Sequence, residues 1–367
     1  MPRPYLAGAL FCSALGMIFV FSGPVVAQAE KDSFDKVKFD TVDQVELHGL
    51  FYPSTKGKDA PCALLLHKLV TGSKEKWDKL AVALQKKGYA VLAFDFRGHG
   101  DSTTVSPEFW KYKGNVEGIG GHNANDPKKT ISHRDFRNPG YYQWLINDIA
   151  AAKTFLDRRN DSGACNSSNL ILIGEEDGAN LGALWMAEEV NRYRAITLPP
   201  LAPEKLEPSP ESKDIVGAVW LTMNQRVPVG KGPTTNVLTW FKDERIRKIP
   251  MAFLYGDADA EGDRFANVAV KVLKGAGKHP EELTAAKSIK GGAKLTGTGL
   301  LKETLETEKL IITYLDNLAS KKSFNEYDKR DVEGNNFVWK FGNARSVIAK
   351  QAKEKQMNII PLGLLQK

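Results

Sequence analysis

The stretch CALLLHKLVTGSKEKWDKLAVALQKKGYAVLAFDFRGHGDS, residues 62–102, decides how the chain folds. CALLLH is a short apolar run of buried-strand character. Trp77, Leu80, Ala81 and Leu84 then recur at helical spacing, and Gly88 ends that helix. YAVLAFDF (89–96) reads as a second strand, running into the turn RGHGDS. A strand, a helix and a strand in this span predict two neighbouring parallel strands with the helix packed on the sheet.

Working outward, the same alternation continues. Residues 36–52 read as two short strands with a turn near Val42-Asp43. Residues 101–139, rich in Gly, Asn, Pro and His, read as a long irregular connection of the kind that is usually functional. Leu145, Ile149, Ala152 and Leu156 mark a helix. NLILIG is a strand that runs into a sharp turn, with a helix from Ala179 onward. Residues 198–214 read as a proline-rich surface excursion. IVGAVWLTM, IPMAFLYG and AAKSI are three further strands, and Leu301, Leu305, Ile312 and Leu315 mark the last helix. The tail from Lys321 is too apolar for a disordered segment and is expected to pack back on the domain.

Four segments in this order resemble the α/β-hydrolase family: residues 62–102, Gly174-x-x-x-Gly178 between a strand and a helix, IPMAFLYGDADA, and IKGGAKLTGTGLL. The resemblance implies an α/β fold, a mostly parallel sheet with helices on both faces, over residues 30–320. Residues 1–29 would be a signal peptide and residues 321–367 a C-terminal extension. It also implies where a catalytic triad would sit. Gly174 and Gly178 bracket the elbow that normally presents a serine, and the residue there is Glu176. The acid position is Asp259, with Asp257 its rival, and the histidine position is Lys294. No histidine follows His279. The backbone donors of the oxyanion hole would be Asp177 and Lys68 or Leu69, in a loop that also carries His67.

A hydrolase of this family needs a nucleophile, a histidine to take its proton and an acid to orient that histidine. Two of the three are replaced here. The expectation is therefore a non-catalytic binding or scaffold protein. The alternatives are a serine-independent hydrolase of esters or peptides, using Glu176 as a nucleophile, and a structural protein of the cell envelope. An ion pair between Lys294 and Glu176 would compensate a desolvated carboxylate. His67 and His99 are expected to hold loops. His122 and His133, with Asp126 and Asp135, match no metal-ligand spacing. Gly118-Ile-Gly-Gly121 lacks the setting of a phosphate loop, so neither a metal nor a cofactor is expected. Tyr141, Tyr142 and Trp144 are expected in packing.

Composition agrees with a globular, exported chain. It has 367 residues, 42% hydrophobic, with 51 Lys and Arg against 44 Asp and Glu. The net charge of +7 falls to +6 without residues 1–29, which hold one base, Arg3, and no acid. That modest, dispersed excess marks no nucleic-acid site. Arg3, an uncharged apolar run and Ala27-Gln28-Ala29 fit a cleaved secretory signal, which implies a periplasmic or extracellular protein with no membrane span after cleavage. An uncleaved N-terminal anchor is the alternative. The two cysteines left after cleavage, Cys62 and Cys165, precede neighbouring strands, so a disulfide between them is a candidate. Its ligand would be a small molecule or a protein.

Overall fold

The computed structural model describes residues 34–121, 123, 125–137, 139–190, 192–196, 205–208, 210–223, 237–275, 282–322, 324–330, 332 and 337–339. The signal-peptide expectation lies outside the described residues, as do His122 and His279.

The main sheet comprises β1 (Asp35–Asp40), β2 (Glu46–Tyr52), β3 (Pro61–Leu66), β4 (Ala90–Phe94), β5 (Asn166–Glu175), β8 (Ile215–Leu221), β9 (Met251–Gly256) and β10 (Ala285–Ile289). Its order is β1-β2-β4-β3-β5-β8-β9-β10. β2 runs antiparallel to both its neighbours, and the other pairings are parallel. Parallel strands need covered crossovers, so both faces must be buried. Every residue of β3, β4 and β5 is buried.

The pleat divides the core into two layers. Cys62, Leu64 and Leu66 of β3 point to the layer shared with α3 (Ile146–Asp161), α4 (Glu176–Glu189) and α6 (Ala260–Lys274). Ala63 and Leu65 point to the layer shared with α1 (Asp78–Lys86) and α7 (Thr307–Lys321). Strand alternation of period 2 and the helical spacing of Leu80, Ala81 and Leu84 are thus satisfied by the same packing.

Several expectations are corrected. The connection 101–139 is not wholly irregular: it holds the turn Pro107–Lys111 and a short helix α2 (Lys113–Gly118). These form because Phe109, Trp110 and Ile119 are buried. The last helix begins at Thr307, leaving Leu301 in a 3-10 turn, Gly297–Leu301, and Leu305 short of the helix. The excursion 198–214 contains β7 (Lys205–Pro208), which pairs with β6 (Arg192–Ile196) in a second sheet. β11 (Phe337–Trp339), within the tail, lies at the edge of that sheet. α5 is a single turn, Val237–Trp240. Cys62 and Cys165 are free, fully buried thiols rather than a disulfide. Cys165 donates to the Leu156 carbonyl at 3.6 Å. The two side chains also hydrogen-bond, and burial first, then this contact, pushes the Cys62 thiol well above its usual value.

Two buried ion clusters hold the loops to this frame. Arg97, fully buried after β4, donates Nε to Asp148 (2.8 Å) and its two terminal nitrogens to Asp43 (2.7 and 2.9 Å). Asn115 and Tyr141 complete the network, bonding each other at 3.0 Å. One guanidinium therefore fastens the β1–β2 turn, the long connection and the start of α3. Midway along α3, Lys153 reaches Asp214 (2.9 Å), as does Arg330 (2.8 Å). Asn325 bonds Asn169 and Ser168 through its backbone and side chain, each at 2.6 Å. Removing one member of such a cluster leaves a charge buried without compensation. Arg97→Met should therefore cost about 3–5 kcal/mol, read as a lower urea midpoint with an unchanged slope.

Candidate active site

The loops that follow β3, β4, β5, β8, β9 and β10 meet at the carboxyl ends of the strands, where ligands bind in open α/β sheets. The backbone is strained there. Five described non-glycine residues have positive φ, and four of them, Val70, Glu176, Thr222 and Ala293, follow β3, β5, β8 and β10. A β-branched residue such as Val70 (φ 69°) seldom adopts this conformation, and such strain gathers at functional clefts.

The turn between β5 and α4 is the tightest of these. Glu176 takes φ 47°, and the flanking glycines are there for lack of room. A Cβ on Gly174 would come within 2.8 Å of the Ala179 Cα, and one on Gly178 within 2.2 Å of the His67 carbonyl oxygen. α4 can therefore start directly beneath the loop after β3 only if both positions are glycine.

Three consecutive carboxylates then fill the turn. Glu175 is fully buried; its two oxygens accept the Lys68 N–H (3.1 Å) and the Thr298 N–H (2.5 Å). Glu176 accepts the Lys68 ammonium at 2.9 Å, both side chains being about one-fifth exposed. Asp177 accepts the Leu69 N–H at 3.4 Å. Burial, with Glu176's charge adding to it, pushes the Asp177 carboxyl up to about 6 against the opposing pull of its hydrogen bonds. Burial pulls the Lys68 ammonium down, but Glu176's hydrogen bond and charge, with Glu175 and Asp177 behind, outweigh it and hold it above the usual value.

The expected Lys294–Glu176 ion pair does not form. Lys294 is exposed and makes no hydrogen bond or ion pair among the described residues. The cause lies in its loop. Asp257 accepts the N–H groups of Gly291 (3.0 Å) and Ala293 (2.6 Å), and Thr222 Oγ1 accepts that of Gly297 (3.1 Å). The loop therefore presents backbone, not the Lys294 side chain, to the elbow. Asp259 caps α6, accepting the Gly262 N–H at 2.9 Å. The three triad positions thus lie on the expected elements but make no hydrogen-bonded chain.

His67 and His99 hold loops, as expected. His67 Nε2 accepts the Phe96 N–H at 3.0 Å, so Nδ1 carries the proton donated to the Lys68 carbonyl at 2.7 Å. His99 Nε2 likewise accepts the Val70 N–H at 2.9 Å, and its Nδ1 bonds the Arg97 carbonyl at the same distance. Burial lowers both to about 4, and His99 stacks on His133 at 4.8 Å.

Among the described residues one acidic cluster has the spacing of metal ligands: Glu75, Asp95 and Asp101. Lys74 already occupies its centre, 2.9, 2.5 and 2.8 Å from the three carboxylates, and supplies the positive charge an ion would bring. Asp135 pairs with Lys128 at 3.0 Å rather than with a histidine. Tyr141 and Trp144 are buried in packing.

The order of strands and the strained elbow between two obligate glycines agree with a sequence comparison: the model of the alpha/beta hydrolase fold family matches residues 63–159. The fold is that of the α/β-hydrolases, and the match covers its first part. No curated protein matches it in sequence. Several solved structures are similar to this chain. An esterase of Pyrococcus furiosus is 17% identical, covering 77% of this chain and 90% of its own, with a TM-score of 0.47. Esterase 2 of Thermogutta terrifontis is 12% identical, over 79% and 96%, with a TM-score of 0.49. TT1662 of Thermus thermophilus is 16% identical, over 79% and 99%, with a TM-score of 0.44.

Two residues of this site escaped the sequence reading. No sequence signal distinguishes Glu175 from its neighbour Glu176, and the family pattern gives a role to the Lys68 N–H but none to its side chain. Glu175→Leu would strand the Lys68 and Thr298 N–H groups and should cost about 2–4 kcal/mol. Lys68→Ala removes a partly exposed pair and should cost under about 1 kcal/mol; urea unfolding of both variants measures the difference.

The histidines also set a pH dependence. Their folded-state values of about 4 lie below the unfolded 6.5. Between these limits the unfolded chain binds more protons at these two sites, so their contribution to stability is full above pH 6.5 and is lost as pH falls toward 4. His99→Gln should flatten that decline, the difference at pH 4 being on the order of 2 kcal/mol, in urea midpoints compared at pH 7 and pH 4.

Proposed function

We propose that this chain of α/β-hydrolase fold is a non-catalytic protein, exported after loss of residues 1–29, that uses the strand-end crevice to bind a small molecule or a protein. One observation carries the reading. The Lys68 and Leu69 N–H groups, one of which would join that of Asp177 in stabilising a developing oxyanion, already donate to the Glu175 and Asp177 carboxylates. A donor engaged by a carboxylate offers nothing to a transition state, and each lost donor costs about a hundred- to a thousandfold in rate.

Glu176 adds to the case. Its Oε1 is engaged by the Lys68 ammonium, which draws electron density from the oxygen that would attack. No described histidine lies in hydrogen-bond reach of it to activate water. Placing further negative charge beside this turn would be repelled by its carboxylates. The retained elbow strain is consistent with a binding crevice. Export rests on the N-terminal apolar run and its small-residue cleavage pattern. Among the described residues no helix is long and apolar enough to cross a membrane.

The expected result is no turnover of short-chain nitrophenyl esters and no labelling by a fluorophosphonate probe. Glu176→Ser should remain inactive, because the donors stay occupied and no histidine is supplied. Turnover by the native chain that disappears in Glu176→Ala would establish a serine-independent hydrolase instead.

A further inference from the structure

A groove of about 720 Å³ lies between β1 and α3, and none of the elbow residues lines it. Its floor is apolar: Phe39 of β1 stacks on Phe155 of α3 at 5.2 Å, and the small side chains of Ala150 and Ala151 leave the space open. Three features point to an occupant. First, β1 ends the main sheet and, among the described residues, pairs with β2 alone. Alternate residues of an edge strand direct N–H and C=O groups outward, away from their partner. Second, Asn147 lines the groove, is 1% exposed, and has no partner for either Oδ1 or Nδ2. Third, Arg159 lines it too, held over the rings of Phe51 (5.3 Å) and Phe155 (5.1 Å). Its guanidinium makes no hydrogen bond or ion pair among the described residues.

An orphaned amide complements a peptide group, donor for donor and acceptor for acceptor. An unpaired guanidinium on an aromatic shelf complements a carboxylate. The two lie twelve residues apart on α3, or ~18 Å along the helix axis. An extended peptide spans that distance with about five residues. We propose that the groove binds such a peptide as an added strand on β1, with its C-terminal carboxylate on Arg159 and a backbone amide on Asn147. Phe51, beneath Arg159, is the register partner of Asp35. The carboxylate end therefore lies at the start of β1, and the peptide runs antiparallel to it.

The test is calorimetric titration of the full chain with an acetylated pentapeptide of alternating threonine and valine ending in a free carboxylate. Its C-terminal carboxamide and octanoate serve as comparisons. Saturable one-site binding is expected, weakened at least tenfold in the carboxamide. Arg159→Gln should weaken the carboxylate peptide tenfold and leave the carboxamide unchanged, and Arg159→Lys should restore part of the loss. Asn147→Leu should weaken both peptides alike. Urea midpoints and circular dichroism establish that each variant is folded, and Arg159→Lys keeps the charge if Arg159→Gln does not fold. Absent or non-saturable binding overturns the proposal. So does octanoate binding as tightly as the peptide, which would assign the groove to a small acid. A concentration-dependent dimer that excludes the peptide would assign it to a second copy and overturn it as well.

Discussion

The Glu175 carboxylate is the constraint on which the crevice depends. It is fully buried and sits at the end of β5, between the loop after β3 and the loop after β10. Its two oxygens take one backbone N–H from each. A buried carboxylate is tolerated only where hydrogen bonds replace its lost hydration. Here the replacement comes from the two loops that would otherwise form the oxyanion hole and present a histidine. This requirement fixes the spacing of the two loops.

The same arrangement explains how the strained elbow is held with a glutamate in it. The glycines at 174 and 178 are required by the approach of α4 to β5 and to the loop after β3, whatever residue lies between them. Packing therefore preserves the turn independently of catalysis. What occupies the turn is a local electrostatic question, and here it is answered by three carboxylates, the backbone donors of Lys68, Leu69 and Thr298, and the Lys68 ammonium. The candidate acids are likewise absorbed into structure, Asp257 holding the loop after β10 and Asp259 capping α6.

Most of the main sheet was legible in the sequence because each of its elements answers to a local signal. β3 and β4 are short apolar runs, α1 has its buried stripe at helical spacing, and the turn after β5 has its paired glycines. Where local signals mislead, tertiary packing had overridden them. Leu301 and Leu305 fit a helical stripe, yet Leu301 lies in a 3-10 turn and Leu305 precedes α7, in a stretch that follows the loop fastened at Gly297 by Thr222. The short helix in the connection 101–139 was missed because it owes its place to buried aromatic side chains rather than to helix-forming residues.

From residue order alone came the alternation of strands and helices, the elbow with a glutamate in it, and the want of any histidine beyond His279. These are properties of single segments, and periodicity and steric rules act within a segment. Which partner each charge takes was settled only by the fold. The sequence offers Lys294 as the partner of Glu176, and the fold supplies Lys68 instead. The chosen one lies 108 residues away, because the glycine-tight turn brings the loop after β3 against the start of α4, while Asp257 and Thr222 hold the other loop by its backbone. Ion pairs and hydrogen bonds act over a few ångströms, and such proximities between remote segments exist only once the chain has packed.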